Sequence, residues 1–281
     1  MCDLLYISRS GYYAWRSRPT SQREMANKQL LDKIKVVYEV NRGCYGSPRI
    51  YHEIKDEIPC SLNRVARLMQ QHGIRAKQAK RYKTTTQQNE NHPHAPNHLA
   101  QDFHASQPAE KWCGDIILRQ AQDRLYVWTA AGWLYLVVVI DLYSRRVIGW
   151  AMNARMTTQL VKDAFQMAWR QQKPKPGLLF HSDRGSQYTS HEFQRLLQFY
   201  HVKAGMSGTG NCYDNAVVES FFSSLKMELI YQTVYFNREE ATTDIFFYIE
   251  GFYNRQRRHS ALGYVSPQAY EAIYQQQALA I

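Results

Sequence analysis

The sequence has few cysteines, few acidic residues and no long apolar run, and each shortage excludes a class of protein. Five cysteines are scattered over 281 residues without a Cys-x-x-Cys pair, which excludes a disulfide-stapled secreted fold and a zinc finger. The longest apolar run, from Trp133 to Ile140, is too short to span a bilayer, and no signal peptide is found. We therefore expect a cytoplasmic protein in a reducing compartment, with no membrane partner.

The shortage of acidic residues is concentrated in the first third of the chain. Residues 1–95 carry 17 Lys and Arg against 8 Asp and Glu, whereas the other 186 residues are nearly neutral. A basic region ahead of a neutral, apolar one is typical of a nucleic-acid-binding module joined to a catalytic domain. A basic surface that only keeps the protein soluble is the simpler alternative.

The basic region is predicted to be helical. Ser21 caps an apolar-periodic stretch that predicts a helix over 22–41, and Ser47 and Ser61 are cap signals for two shorter helices. A long helix followed by two short ones is typical of a helix-turn-helix variant. We therefore assign residues 1–81 to a helix-turn-helix-like DNA-binding region.

Two arginines in the third of these helices are candidate DNA contacts. Arg64 and Arg67 are predicted to bind phosphates, which position DNA without specifying its sequence. An ordinary solvated helix face is the alternative for either residue.

The rest of the chain alternates strands and helices after a linker. Residues 82–110 begin with a Thr, Gln, Asn, His and Pro-rich stretch that has no periodicity and predicts a linker. A strand follows near Trp112, two more lie in GWLYLVVVIDLYSRRVIGWAM, and a helix begins at Thr158. Further expected elements are a strand over 178–182, a helix over 190–200 and a strand over 202–206. This order predicts a mixed α/β sheet flanked by helices over 111–235.

Two acidic residues and a lysine stand out in this second part. Asp183 follows the apolar run LLF and lies where a buried strand becomes a loop. Glu219 lies in NAVVESFFSSLK, whose apolar positions predict a helix packed on the sheet. Lys226 lies two turns later, on roughly the same face. Such a set suggests a site that handles phosphate through a divalent metal.

The residues around Asp183 and Glu219 carry more information than their spacing. Random placement of the 24 acidic residues gives roughly 0.4 Asp-to-Glu pairs at this separation, so spacing alone is weak. The flanks HSDRGSQY and GNCYDNAVVESFFSSLK closely resemble the integrase-core transposases of bacterial insertion sequences. The 35 residues between Asp183 and Glu219 equal the signature gap of that family. The resemblance extends from about residue 4 to residue 272.

The resemblance implies a fold, a reaction and a set of partners. The expected fold is RNase H-like, with the catalytic and metal-binding triad Asp115, Asp183 and Glu219. Two Mg²⁺ or Mn²⁺ ions per site would activate an oxygen nucleophile and stabilise the leaving oxygen. The expected partners are transposon-end and target DNA, further copies of the chain, and the product of an upstream reading frame, fused or separate. The implied reaction is DNA strand cleavage followed by 3′-hydroxyl strand transfer.

The first position of the triad has a rival, and an insertion follows it. Asp141, in VVVIDLYSR, also ends an apolar strand, but the W-x-x-D-I context of the family favours Asp115. ILRQAQDRL after Ile116 is an insertion of about eight residues, which either lengthens a hairpin harmlessly or turns Asp115 away by a register shift. The alternative function is therefore an inactivated transposase that only binds DNA.

Other family motifs supply further candidate DNA contacts. Residues 236–281 form a helical C-terminal segment with a basic cluster over 255–259, which we expect to contact transposon-end or target DNA. A solvated basic turn that packs onto the core is the alternative. The candidate DNA-binding residues outside the N-terminal region are Lys226, Arg184, Asn215, Arg255, Arg257, Arg258 and His259.

Overall fold

The computed structural model describes residues 6–77, 95–116, 127–207 and 215–279. Most of the predicted linker and the insertion after Ile116 lie outside these ranges. The chain divides into two compact units, Met1–Lys77 and Gln78–Ile281. None of the helices in the described ranges is both long and apolar enough to cross a membrane.

The first unit is a set of helices that follows the predicted pattern. Its helices are α1 (Arg9–Ser17), α2 (Gln22–Val40), α3 (Ser47–Ile54) and α4 (Leu62–Gln71). The side chain of Ser21 caps α2 and that of Ser61 caps α4, each by accepting a backbone N–H three residues on. The cap position of α3 is Gly46 rather than Ser47, because Ser47 is already helical and Pro48 completes the first turn.

The apolar residues that recur at helical spacing meet in the core of this unit. The fully buried ones are Leu30, Ile34, Ile50, Ile54 and Val65. They come from α2, α3 and α4, so each short helix is held mainly by tertiary packing.

Within the described residues, the second unit is built on a six-stranded mixed sheet. Its strands are β1 (Lys111–Ile116), β2 (Val127–Thr129), β3 (Gly132–Asp141), β4 (Val147–Asn153), β5 (Leu179–Ser182) and β6 (Lys203–Met206). The strand order is β2-β3-β1-β5-β6, and β4 also pairs with β3. β1, β3 and β4 pair antiparallel, whereas β5 and β6 continue parallel to β1. The predicted RNase H-like mixed sheet is confirmed.

Helices cover the sheet and complete the unit. They are α5 (Thr158–Gln172), α6 (Ser186–Thr189), α7 (His191–Phe199), α8 (Ala216–Glu228), α9 (Arg238–Phe246) and α10 (Pro267–Leu279). Residues Phe247–Tyr253 prolong α9 as a π-helical stretch. The expected flanking helices are therefore present.

Successive residues of β1 point to opposite faces of the sheet, which separates core from site. Trp112 and Ile116 pack into a large apolar cluster with α5 and α7. Gly149 of β4 lets α5 approach closely, since a Cβ there would lie 2.2 Å from the backbone oxygen of Ala164. Cys113 and Asp115 lie on the other face, where α8 begins.

The C-terminal residues are tied to the turn between β3 and β4. The side chain of Asn254 accepts from the backbone N–H of Val147 at 3.0 Å and donates to its carbonyl at 2.9 Å. The buried carboxylate of Glu271 on α10 accepts from Ser144 and Arg146, each at 2.7 Å. These bonds make the C-terminal segment part of the fold of the second unit.

Candidate active site

The parallel pairing of β1 with β5 brings two aspartates side by side. Gly114 pairs with Ser182, so Asp115 and Asp183 are the next residues along two neighbouring strands. Both side chains are half-buried. Asp115 accepts from the backbone N–H of Ile116 at 2.7 Å, and Asp183 from that of Gly185 at 3.0 Å. The carboxylates are thus oriented by the backbone at the strand ends.

Helix α8 supplies the third carboxylate and the lysine. Glu219 is the exposed fourth residue of α8, and Lys226 lies two turns further on the same side. The start of α8 is bonded to β1, because the Cys113 thiol donates to the side-chain oxygen of Asn215 at 3.3 Å. This bond joins the strand that carries Asp115 to the helix that carries Glu219.

The electrostatics show that these groups act on one another. Burial raises the pKa of Asp115 well above its usual range, and the charges of Asp183 and Glu219 raise it further. Burial also raises the pKa values of Asp183 and Glu219. The positive charge of Lys226 opposes these shifts by lowering the pKa of Asp115 and that of Glu219. When ionised, the three carboxylates carry more negative charge than the one nearby lysine neutralises.

The donor chemistry of the site fits a hard divalent cation. Carboxylate oxygens are the preferred protein ligands of Mg²⁺ and Mn²⁺. Within the described ranges, no group of three or more His, Cys, Asp or Glu side chains is positioned to hold a metal ion as it stands. Asp115 and Asp183 form the adjacent pair, and the charge of Glu219 acts on Asp115 from the helix.

Asp141, the alternative to Asp115 for the first triad position, is buried and bonded to the backbone. It pairs with Trp112, three residues before Asp115 on β1 and on the opposite face of the sheet. Its buried carboxylate accepts the backbone N–H groups of Ala109, Tyr143 and Ser144 at 2.6, 2.8 and 3.2 Å. Asp141 therefore stabilises the turn after β3.

Arg257, a predicted DNA contact, lies inside the protein rather than on its surface. Its side chain is only 4% exposed and binds both carboxylate oxygens of Glu228 at 2.8–3.0 Å. A third bond, of 3.0 Å, reaches the hydroxyl of Ser224. Burial alone would lower the pKa of Arg257, but the bonds to Glu228 outweigh it and raise that pKa. The guanidinium holds α8 to the C-terminal segment, and a DNA contact of Arg257 stays a prediction.

Asn215 is also placed differently from the prediction. It is 5% exposed and turned towards Cys113, so its side chain lies inside the protein rather than on a DNA-facing surface. It occupies the cap position of α8 without a capping bond from its side chain.

The remaining predicted DNA contacts lie nearer the surface. Arg67 and Arg255 are exposed. Arg64, Arg184, Arg258 and His259 are half-buried. Arg184 donates to the backbone oxygen of Ser207 at 2.7 Å, and Arg258 to that of Tyr264 at 2.9 Å. Their contacts with DNA stay predictions.

Three residues of the site were not found by sequence reasoning. Cys113 could have been noticed, because it lies two positions before Asp115 and so faces the same side of the strand. The Tyr188 hydroxyl is buried with no hydrogen-bond partner in the described part of the chain. Burial raises its pKa, and the charges of Asp115 and Asp183 raise that pKa further. Glu228 is the last residue of α8, and no local sequence signal pairs it with Arg257.

Solved structures with a similar fold come from viral integrases. The simian T-cell lymphotropic virus intasome in complex with the PP2A regulatory subunit B56 gamma has a TM-score of 0.48 and 14% identity, over 85% of this chain and 74% of that chain. The HTLV-2 integrase catalytic core domain in complex with magnesium, in its trimeric form, has a TM-score of 0.44 and 16% identity. The match covers 60% of this chain and 99% of that chain.

Family models and curated relatives cover nearly the whole sequence. Residues 25–82 match an HTH-like domain, and residues 105–212 and 200–267 match integrase core domain models. The insertion element IS600 uncharacterized 31 kDa protein of Shigella sonnei is 41% identical over 99% of this chain and the whole of that protein. Transposase InsF for insertion sequence IS3A of Escherichia coli (strain K12) is 42% identical over 96% of this chain and 92% of its own length. This chain therefore belongs to the integrase-core transposases of bacterial insertion sequences.

Proposed function

We propose that this transposase cuts the ends of its own insertion sequence by water attack and transfers the resulting 3′-hydroxyl to another DNA strand. The observation that carries the proposal is the adjacency of Asp115 on β1 and Asp183 directly after β5, with the charge of Glu219 on α8 acting on Asp115. Phosphoryl transfer without a covalent enzyme intermediate needs positioning and charge stabilisation more than a protein nucleophile. A cluster of carboxylates suits that task only if a cation joins it.

The residues present would divide the work as follows. Asp115, Asp183 and Glu219 would hold two Mg²⁺ or Mn²⁺ ions, which activate the attacking oxygen and neutralise the leaving oxygen when bound. Lys226 would hold a DNA phosphate beside the carboxylates, because its charge already reaches Asp115 and Glu219. Asn215 and Cys113 would keep α8 against β1, so that Glu219 stays near the two aspartates.

The proposed partners are those of a DNA-joining enzyme. We propose that the chain binds its transposon ends and a target duplex, and works as an oligomer that brings two ends together. The product of an upstream reading frame, fused or separate, is a further proposed partner. Since its substrate is bacterial DNA, the protein would act in the cytoplasm.

Cleavage and strand transfer on DNA that carries the element's own ends would test the proposal. The full chain, with Mg²⁺ or Mn²⁺, is compared with Asp183→Ala and with the exposed control Asp163→Ala on α5. Loss of both reactions in Asp183→Ala alone would support the assignment. Retained activity in Asp183→Ala would contradict it.

A version that lacks residues 117–124 separates the active enzyme from an inactivated one. Equal activity with and without these residues shows that the insertion is tolerated. Activity only after the deletion identifies a transposase that the insertion has inactivated, which then acts solely as a DNA-binding protein.

A further inference from the structure

Helix α4 of the first unit has an apolar face and, opposite it, a polar face. The buried residues of the helix are Val65, Leu68 and Met69. At about 100° per residue, Asn63, Arg67 and Gln70 lie within about 60° of one another and point away from that buried face. All three are exposed. We call these three residues the polar stripe.

The chemistry of the polar stripe matches the edges of bases. Arg pairs with guanine through two hydrogen bonds, and Asn and Gln pair with adenine in the same way. No Asp or Glu occurs from Leu62 to Lys77, whereas four Lys and Arg do. A helix surface without carboxylates can approach the phosphate backbone without charge repulsion.

A hollow of about 550 Å³ lies beside the stripe, at the N-terminal ends of α2 and α4. It is lined by Arg23, Ala26, Ser61, Asn63, Arg64 and Arg67. Three arginines and no carboxylate face this hollow, so an anionic occupant is favoured. Arg64 is held in place by Asn27, whose side-chain oxygen accepts from its Nε at 2.9 Å. Arg23 was not among the residues singled out from the sequence.

We propose that α4 enters the major groove of DNA, where the polar stripe reads about three base pairs and Arg23 and Arg64 hold the flanking phosphates. An α-helix about 10–12 Å in diameter fits a groove about 12 Å wide. From Asn63 to Gln70 the helix rises about 10 Å, close to three base-pair steps. The inference rests on the proposed function, since it takes DNA as the partner. It adds which residues choose the sequence, and it gives Arg67 a base contact in place of the phosphate contact expected from the sequence.

The roles of stripe and flank predict different effects of substitution. Arg67→Ala should relax the selected sequence at one guanine and lower affinity for the selected site roughly five- to one hundred-fold, with a much smaller loss on unrelated DNA. Arg23→Ala should weaken binding about equally for all sequences and reduce the slope of log affinity against log salt by about one. Lys35→Ala, an exposed charge about 18 Å further along α2, is the matched control and should change neither.

The test selects binding sites for the full chain from a library of random DNA duplexes. The chain carries Asp183→Ala, so that bound DNA is not cut, and each variant is selected against the same library. Gln70→Ala should relax a different position from Arg67→Ala, and it takes the place of Arg67→Ala if that variant fails to unfold cooperatively. A selected sequence that both stripe variants leave unchanged, or the absence of any selected sequence, would overturn the inference.

The same experiment keeps this inference apart from the proposed reaction. A chain that selects a sequence but whose parent cuts no DNA contradicts the reaction alone. A parent chain that cuts its ends while no base preference depends on the polar stripe contradicts this inference alone.

Discussion

The thiol of Cys113 on β1 donates a hydrogen bond to the side-chain oxygen of Asn215, 3.3 Å away at the start of α8. Burial raises the pKa of Cys113 well above its usual range, so the sulfur keeps its proton and remains a donor. Asp115 lies two residues after Cys113, and Glu219 one turn after Asn215. One buried bond thus sets how the third carboxylate approaches the first.

Cys113→Ala should lower cleavage about tenfold, because it leaves the Asn215 oxygen without its donor and loosens α8 against β1. Cys113→Ser keeps a donor at the same position and should retain most of the activity. The Mg²⁺ concentration for half-maximal cleavage should rise in Cys113→Ala, while affinity for DNA without metal stays unchanged. A fall in DNA affinity equal to the fall in cleavage would instead support the original prediction that Asn215 contacts DNA.

Arg257→Ala should destabilise the protein by about 3–5 kcal/mol, because it leaves the buried carboxylate of Glu228 without its cation. Denaturant unfolding measures this loss. Arg255→Ala is the matched variant in the same basic segment, and its exposed side chain predicts little change in the free energy of unfolding. DNA affinity at low salt should fall in Arg255→Ala. An Arg257→Ala protein of normal stability but weak DNA binding would contradict this assignment.

The stability of the second unit should depend on the protonation of Asp141. Burial raises the pKa of this carboxyl to about 6, above its usual value near 4, although three backbone N–H groups favour the ionised form. A carboxyl whose pKa is raised on folding stabilises the protein below the unfolded pKa, and this contribution is lost as pH rises through about 6. The loss amounts to about 2 kcal/mol between pH 4 and 7, because the carboxyl of the unfolded chain is already partly ionised at pH 4.

Asp141→Asn tests the pH effect, because an amide does not titrate. The free energy of unfolding is measured for both proteins from pH 4 to pH 7, and the advantage of the parent should shrink by about 2 kcal/mol over that range. The exposed substitution Asp163→Asn provides the control for a change of one charge. A constant difference between parent and Asp141→Asn would mean that Asp141 is ionised throughout.

Lys226→Ala should move the acidic limb of the cleavage pH profile to higher pH. The lysine lowers the pKa values of Asp115 and Glu219, so both pKa values rise when it is removed. A higher pH is then needed before the two carboxyl groups ionise. Lys226→Arg keeps the charge and should leave the limb in place. An unshifted profile in Lys226→Ala, with only weaker DNA binding, would limit Lys226 to a phosphate contact.

Local sequence signals were enough to predict most of the secondary structure. The Ser21 capping box and the apolar spacing after it predicted a helix over 22–41, and α2 spans Gln22–Val40. The apolar runs predicted β5 and β6 within one residue of their observed ends, because burial and capping depend on neighbouring residues. Ser47 was misassigned by one position, as expected where Gly46 can take the same cap role.

The residue types at the strand ends and helix faces can be read from the sequence alone, and they are enough to indicate the family and the candidate triad. Which of these residues meet depends on the tertiary fold. The pairing of Gly114 with Ser182 sets Asp115 beside Asp183, and that register spans 68 positions along the chain. Arg257 and Arg255 look alike in sequence, yet one is buried against Glu228 and the other is exposed. Such differences depend on contacts between distant segments, which only the folded chain brings together.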